Sequence, residues 1–214
     1  MSGSGKNCQE YYKAVAAMNT GLYFGSYNPV HIGHLAIANW LIEFTDLDEI
    51  WFVVSPHNPL KKKSTLLADH HRLELVELAI GDDHRFRVSG IESRLPQPSY
   101  TIDTITYLRE KHPGKKFSLI MGSDNLTTLY KWKNINELIR TCTIYAYPRK
   151  EVKRGAIPDL DDILAKADIR HVDAPLIEIS GTFIRNAIKE GKDIRHLLAP
   201  QVWKHICNMN FYRV

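Results

Sequence analysis

The sequence is poor in cysteine: its 214 residues include only Cys8, Cys142 and Cys207, which lie far apart along the chain. They form no Cys-x-x-Cys pair and no spacing with histidine that is typical of a structural zinc site. An odd and small number of cysteines also argues against a disulfide framework. We therefore expect a protein of a reducing, cytoplasmic compartment, with no protein-held metal site.

Long apolar runs are absent as well. No stretch approaches the roughly 18 continuous apolar residues of a membrane-spanning helix, and residues 1–17 have no apolar segment typical of a signal peptide. Internal repeats and low-complexity tracts are also missing. We expect no membrane partner and predict one domain over residues 1–214, with a leader at residues 1–18 and a C-terminal helical part at about 180–214.

Charge of one sign is in only small excess, since 28 Lys and Arg stand against 24 Asp and Glu, for a net charge of +4. Much of the positive charge is local, as in Lys61–Lys63. The sequence has no long basic arm and no basic helix face, so we expect no nucleic-acid partner. A mild excess of this kind suits an acidic small molecule. The composition leaves open whether the chain forms a homo-oligomer.

Short β-rich runs alternate with longer helical patterns along most of the chain. Strands are predicted at 22–24, 50–54, 86–88, 117–121, 143–147 and 169–172, and helices at 34–44, 69–80, 101–112, 126–139 (with a break near 133), 159–167, 180–190 and 200–211. This order predicts an α/β fold, a Rossmann-like doubly wound parallel sheet with helices on both faces. Ligands of such sheets bind at the carboxyl ends of the strands, where the strand order reverses.

The segment Gly25–His34, with the sequence GSYNPVHIGH, links the first predicted strand to the first helix. Asn28 and Pro29 favour a tight turn there, and His31 and His34 follow at the start of the helix. Backbone amides and the helix dipole favour anionic oxygens at such a position. The segment predicts a phosphate-handling site; the alternative is a helix start that merely carries histidines.

The segment Ser180–Arg185 also follows an extended stretch and starts a helix. Ser180 is a good N-cap, Thr182 adds a hydroxyl, and the planar guanidinium of Arg185 suits bidentate contact with phosphate. Alone, this segment is equally typical of a Ser-capped helix with a solvated arginine. Together with the first segment, it places two anion-binding helix N-termini beside one crevice.

Carrying both motifs, the chain resembles the nucleotidylyltransferases that have a His-x-Gly-His motif near the N-terminus and a Ser-x-Thr-x-x-Arg motif near the C-terminus. Within that family it is similar to bacterial nicotinate-nucleotide adenylyltransferases, through the segments Val54–Lys61, Pro98–Thr104 and Met121–Trp132. The resemblance implies a step of NAD biosynthesis. The phosphate of nicotinate mononucleotide attacks the α-phosphorus of ATP, giving deamido-NAD and pyrophosphate, with Mg²⁺ bound through the ATP phosphates.

The resemblance also implies roles for individual residues. The implied catalytic residues are His31, His34 and Arg185. The implied ATP contacts are Gly25, Ser26, Tyr27, His34, Gly122, Asp124, Ser180, Thr182 and Arg185. The implied mononucleotide contacts are Asn28, Lys61, Tyr100, Thr101, Asp103 and Trp132.

Several of these residues have a simpler structural interpretation. Asp124 and Thr101 can each be helix caps, and Trp132 can be a core residue. His57 and Arg149 receive no firm role. Gly181 stands where the family commonly has a second serine, which leaves the backbone amide but removes one hydroxyl.

Rival functions keep part of this chemistry. The acceptor can be another phosphorylated compound, such as nicotinamide mononucleotide or phosphopantetheine. The chain can also be a non-catalytic nucleotide-sensing module on the same fold. Class I aminoacyl-tRNA synthetases have a similar first motif, but Ser180–Arg185 replaces their Lys-rich second signature.

Overall fold

The computed structural model describes residues 17–56, 66–149 and 160–213. Its strands are β1 (Met18–Gly25), β2 (Glu49–Val54), β3 (Phe86–Ser89), β4 (Lys115–Gly122), β5 (Ile144–Tyr147) and β6 (Ile169–His171). Its α-helices are α1 (Ile32–Phe44), α2 (Asp69–Ile80), α3 (Thr101–Lys111), α4 (Ser123–Leu126), α5 (Ile135–Thr141), α6 (Leu160–Lys166), α7 (Gly181–Lys189) and α8 (Pro200–Asn208). Short 3₁₀ turns lie at Ile91–Arg94, Leu129–Lys131 and Arg195–Leu197.

The six strands form one parallel sheet in the order β3-β2-β1-β4-β5-β6. This confirms the predicted α/β, Rossmann-like fold. The strand order reverses between β1 and β4, which are hydrogen-bonded neighbours, with Leu22 level with Leu119. The carboxyl ends of these two strands, at Gly25 and Gly122, therefore border the crevice where such sheets bind ligands.

The inner strands β2, β4 and β5 are buried on both faces over most of their length, which explains their nearly continuous apolar sequences. The edge strands β3 and β6 are only partly buried. Successive residues alternate between two core clusters, as side chains along a strand must: Tyr23 and Phe52 belong to one cluster, and Leu22 and Trp51 to the other. Residues of α1, α2, α7 and α8 complete the first cluster, and residues of α3, α5 and α6 complete the second. Helices thus cover both faces of the sheet, as predicted.

The predicted helix at 126–139 is the main departure from the sequence expectation. The chain instead forms α4, a 3₁₀ turn and α5, and Asn134 before α5 has a left-handed backbone with φ of 49°. A left-handed residue cannot continue an α-helix, and asparagine tolerates that conformation better than most residues. The break near residue 133 was therefore placed correctly, and the single helix was wrong. Within the described ranges, no helix has both the length and the apolar character needed to cross a bilayer.

Candidate active site

A crevice of about 280 Å³ opens at the carboxyl ends of β1 and β4. Its walls come from the ends of several strands and from the segment after α4, and they include Gly25, Ser26, Ser55, Pro56, Gly122, Asn125, Trp132 and Tyr147. The two histidines of the first motif lie beside it, in a smaller depression that shares Tyr23 and Tyr147 with the crevice. The sheet therefore brings the first motif, the end of β4 and Trp132 to one place.

His31 and His34 form a stacked pair at the start of α1. Their ring centroids are 3.8 Å apart with an interplanar angle of 30°, and the backbone N–H of His31 donates to Nδ1 of His34 over 3.2 Å. Because Nδ1 of His34 accepts a hydrogen bond, the neutral ring carries its proton on Nε2. His34 therefore presents a fixed N–H donor even when it is uncharged.

Both imidazoles are neutral at pH 7. Burial and, to a lesser extent, the nearby positive charge of Arg149 together lower the pKa of His31 to about 4. The pKa of His34 is held well below its usual value by burial and by the charges of His31 and Arg149. The pair can thus act on a phosphate through N–H donors rather than as cations.

This pair predicts a specific dependence of stability on pH. A histidine that is neutral when folded and protonated when unfolded makes the unfolded state bind more protons, so stability rises with pH between the two pKa values. We expect the free energy of unfolding to fall as the pH is lowered from about 6.5 to about 4, the window between the ordinary pKa and that of His31. Urea unfolding at several pH values measures this, and a His31→Asn variant should show a shallower slope than the parent. An equal slope in both would remove His31 from this effect.

Arg149, whose role the sequence left open, supplies positive charge at this site. It follows β5, its backbone N–H donates to Ser123 Oγ over 3.1 Å, and its guanidinium lies 5.5 Å from the centroid of the Tyr147 ring. Its Nε is buried and has no hydrogen-bond acceptor among the described residues. Arg149 thus offers a buried donor and a cation between β4, β5 and the histidine pair.

Gly122 and Asp124 lie close together at the end of β4. A Cβ atom on Gly122 would be 2.4 Å from Oδ1 of Asp124 and 2.7 Å from Cγ of Arg149, so only glycine fits there. Gly122 itself is the N-cap of α4, while Asp124 is in its first turn. The interpretation of Asp124 as a helix cap is therefore wrong.

The second motif docks directly on the first. Ser180 is the N-cap of α7 and accepts from the N–H of Phe183, as predicted for a cap. Arg185 donates from Nη1 to the backbone oxygen of Asn28 over 2.7 Å, and from Nη2 to Oγ1 of Thr182 over 3.2 Å. The two helix N-termini thus flank one site.

The same contact explains the glycine at position 181. A Cβ atom there would be 2.8 Å from the backbone oxygen of Asn28 and 3.3 Å from Nη1 of Arg185. Because a carbonyl oxygen of a buried turn cannot move away easily, the two motifs approach each other more closely than a serine at this position would allow.

Tyr27 and Asn28 form the inside of the first turn. Tyr27 has φ of 44° and is fully buried; its hydroxyl donates to the backbone oxygen of Tyr23, and its ring centroid is 5.0 Å from that of His34. Asn28 is also buried, and its Oδ1 accepts from the N–H of Leu67 at 3.3 Å and from the hydroxyl of Tyr212 at 2.8 Å. Both side chains therefore support the turn, and the backbone of Ser26 borders the crevice.

The side chain of Arg72 in α2 is hydrogen-bonded to the same turn. The sequence analysis did not identify this residue. The side chain is fully buried and donates to the backbone oxygens of Ser26 (2.6 Å), Ser55 (2.7 Å) and Leu67 (3.0 Å), and to Oδ1 of Asp69 (2.6 Å). Ser26 and Ser55 follow β1 and β2 respectively. Arg72 therefore fixes two walls of the crevice relative to each other.

Trp132 was considered either as a core residue or as a contact of the pyridine ring. It is half-buried and packs against the second core cluster, and it also lines the crevice. Tyr100 is the N-cap of α3 and Thr101 is the first helical residue, so the interpretation of Thr101 as the cap is wrong. Lys61 and His57 lie outside the described residues.

Lys133, which the sequence did not single out, connects the start of α3 to the segment that contains Trp132. Its Nζ is 2.8 Å from Oδ2 of Asp103 and 4.6 Å from the centroid of the Tyr100 ring. The ion pair and the cation–π contact connect the start of α3 to the residue next to Trp132. Asp103 is thus engaged with a lysine.

Glu92 is a buried carboxyl behind the crevice. Its Oε1 accepts from Oγ1 of Thr104 over 3.3 Å, and burial raises its pKa although Ser55, Thr104 and Ser99 donate hydrogen bonds to it. Ser55 lines the crevice and Ser99 precedes α3. Glu92 therefore links Ser99 and Thr104, at the start of α3, to Ser55 at the end of β2. In the part of the chain that the structure describes, no group of three His, Cys, Asp or Glu side chains is arranged to hold a metal ion.

Comparisons with known proteins agree with this geometry. The family model described as cytidylyltransferase-like matches residues 22–187. A probable nicotinate-nucleotide adenylyltransferase of Flavobacterium johnsoniae is 54% identical over 196 residues, which cover 92% of this chain and 100% of the relative. One from Bacteroides fragilis is 45% identical over 194 residues, covering 90% and 92%.

Solved structures show the same fold. The nicotinic acid mononucleotide adenylyltransferase of Plasmodium falciparum, complexed with NaAD, superposes with a TM-score of 0.73 at 21% identity, over 91% of this chain and 97% of that one. A putative nicotinate-nucleotide adenylyltransferase from Vibrio parahaemolyticus gives a TM-score of 0.66 at 22% identity, over 92% and 96%.

Proposed function

Because the chain belongs to the cytidylyltransferase-like family and, within it, to the nicotinate-nucleotide adenylyltransferases, we propose that it joins ATP to nicotinate mononucleotide, giving deamido-NAD and pyrophosphate. The observation that carries this proposal is the docking of two phosphate-binding helix N-termini beside one crevice. The stacked His31–His34 pair starts α1, and Ser180–Arg185 starts α7.

The reaction needs no covalent intermediate, because the nucleophile is an existing phosphate oxygen of the mononucleotide. Catalysis then rests on in-line placement and on stabilising the charge that develops as pyrophosphate leaves. In our proposal the Nε2–H of His34 donates to an oxygen on or next to the α-phosphorus. Arg185 and Thr182 bind the departing phosphates, and the buried guanidinium of Arg149 adds positive charge.

Mg²⁺ is the divalent cation that we assign to this reaction. In our proposal this cation is held mainly by phosphate oxygens and water. When bound, it would neutralise part of the triphosphate charge. The protein's share is to fix the triphosphate between α1 and α7.

In our proposal, different residues recognise the two substrates. Asp124, beside Gly122, accepts hydrogen bonds from the ribose hydroxyls of ATP, and Trp132, which lines the crevice, stacks on the pyridine ring. At the start of α3, the N–H of Thr104 donates to the backbone oxygen of Tyr100 as the first hydrogen bond of the helix. The preceding amides and the dipole of this helix favour a carboxylate over a carboxamide, which supports nicotinate over nicotinamide mononucleotide.

The contact of Lys133 gives a test of the acceptor side. We expect Lys133→Met to raise KM for nicotinate mononucleotide about tenfold, with KM for ATP unchanged, because the start of α3 loses its connection to Trp132. Lys131→Met is the matched control, since Lys131 is an exposed neighbour whose Nζ lies 5.2 Å from the centroid of the Tyr130 ring. Steady-state kinetics with each substrate varied in turn measure both constants. Equal effects of the two substitutions, or a rise in KM for ATP, would contradict this role.

A substrate panel tests the proposed function itself. Pyrophosphate release is followed with ATP and Mg²⁺ in the presence of nicotinate mononucleotide, nicotinamide mononucleotide or phosphopantetheine. We expect the highest kcat/KM with nicotinate mononucleotide. Release with phosphopantetheine alone would assign the rival acceptor. ATP binding without release from any acceptor would favour a nucleotide-sensing module.

A further inference from the structure

A second cavity, of about 470 Å³, lies between α7, α8 and the C-terminal residues. Its walls include Ile188, Lys189, Lys192, Trp203, Cys207 and Arg213, none of which lines the crevice. Cavities of roughly 300–1,000 Å³ are the usual size of sites for small molecules. The first motif and the second motif are both outside this cavity, so the proposed function does not use it.

The cations around this cavity are exposed side chains. Lys189, Lys192 and Arg213 form no ion pair with any residue in 17–56, 66–149 or 160–213. The acidic residue of the wall, Asp193, is bound by Arg195, whose Nε is 3.0 Å from its Oδ1. Within those ranges, three cations at one concave surface therefore have no ion-pair partner, and an anion would supply one.

The remaining wall is apolar and aromatic. Trp203 is half-buried and lies one turn before Cys207 on α8, and Ile188 and Ile206 add aliphatic surface. An indole ring beside cations suits a flat aromatic group that carries negative charge. We propose that this cavity binds a planar aromatic anion of nucleotide size, at a site separate from the crevice.

The C-terminal residues connect this cavity to the first motif. Arg213 lines the cavity, and the preceding residue, Tyr212, donates its hydroxyl to Oδ1 of Asn28 over 2.8 Å. Tyr212 has a left-handed backbone with φ of 65°, a conformation that a tyrosine keeps only when its surroundings hold it there. Asn28 in turn accepts from Arg185. A ligand that restrains Arg213 therefore also restrains, through Tyr212, the turn at Asn28 to which Arg185 is hydrogen-bonded.

Binding is tested without measuring activity, by protection of the Cys207 thiol. Cys142 is buried, so in a Cys8→Ser background a thiol reagent reports on Cys207. The probe is 1-naphthyl phosphate, with 1-naphthol and glycerol phosphate as the uncharged and non-aromatic controls. At ten times its Kd the probe should slow modification about tenfold, and Lys192→Ala with Arg213→Ala should abolish the protection at that concentration.

Four results would overturn the site, and the first three concern the probe, its control and the charge variant. The probe gives no protection at millimolar concentration, glycerol phosphate protects equally well, or the protection survives in the Lys192→Ala, Arg213→Ala variant. Loss of the protection in a His34→Ala variant would place the probe in the crevice, and would overturn the proposal as well. Trp203→Phe, a second variant that keeps an aromatic ring and the three cations, should retain most of the protection. Circular dichroism should show that the Lys192→Ala, Arg213→Ala variant keeps the fold.

The connection through Tyr212 is tested by kinetics and rests on the proposed function. Saturating probe should lower KM for ATP about threefold, because the turn that holds Arg185 becomes better ordered. Tyr212→Phe should remove this shift and leave the protection of Cys207 intact. An unchanged KM for ATP in the parent protein would contradict the connection. If no acceptor supports pyrophosphate release, the proposed function fails, while the thiol assay still decides the cavity.

Discussion

His34→Ala is expected to lower kcat for pyrophosphate release by about 10²-fold or more, the effect of losing one fixed donor to a transition-state oxygen. The reason is geometric, because the hydrogen bond from the His31 N–H to Nδ1 of His34 leaves the Nε2–H of His34 as the outward donor. Since the His34 ring is neutral at pH 7, it acts through this N–H and not through a charge. Positive charge nearby therefore cannot replace the lost N–H. Steady-state rates at saturating ATP and nicotinate mononucleotide measure the effect.

The control for this substitution is His70→Ala. His70 is an exposed histidine at the start of α2, so the same change in size and chemistry occurs away from the crevice. Circular dichroism and thermal melting should show that both variants keep the fold. Near-normal kcat in His34→Ala would remove this residue from the catalytic set, and a similar loss in His70→Ala would show that the effect is not local.

The second large effect is expected from Arg72→Met. The substitution removes a buried guanidinium that satisfies three backbone oxygens and the carboxylate of Asp69. A buried acceptor left without its partner costs about 1–3 kcal/mol, so the loss of donors to three backbone oxygens costs roughly 3–5 kcal/mol in all, whereas the partly exposed Asp69 can be solvated. We expect the free energy of unfolding to fall by about that amount, as measured by urea unfolding.

Activity should report the same loss locally. Ser26 and Ser55, whose backbone oxygens accept from Arg72, line the crevice. Because these walls lose their support, the folded fraction of Arg72→Met should also have a raised KM for ATP. Arg94→Met is the matched control, because Arg94 is exposed in the 3₁₀ turn at Ile91–Arg94. Equal stability of the two variants would show that Arg72 does not hold the turn.

The sequence predicted most of the fold because its signals are repeated and local. The inner strands are apolar over several residues since both of their faces are buried, and helices such as α7 and α8 have a clear amphipathic periodicity. The ends of elements were harder to predict. Thr101 and Asp124 are residue types that often cap helices, but Tyr100 and Gly122 occupy the N-cap positions of α3 and α4. Capping propensity alone does not distinguish a residue from its neighbour.

The candidate site was predictable where a motif stands beside a strand end, and not where single residues act across the fold. Arg72 reaches Ser26 over 46 positions in the sequence, and Tyr212 reaches Asn28 over 184. No local pattern marks such residues, because their partners are chosen by the tertiary structure. The roles of the assigned residues, Lys61 among them, stay predictions, as do the single-domain organisation, the cytoplasmic location and a homo-oligomer.

The strand order also has a consequence for how the protein is made. β1 pairs with β4, and Met18 lies level with Lys115, 97 positions later in the chain. Closing so long a loop costs entropy before its contacts stabilise anything. During synthesis, the nascent chain carries Gly25–His34 with its histidines well before β4 can join β1. The crevice between these two strands can therefore be assembled only once more than half of the polypeptide has left the ribosome.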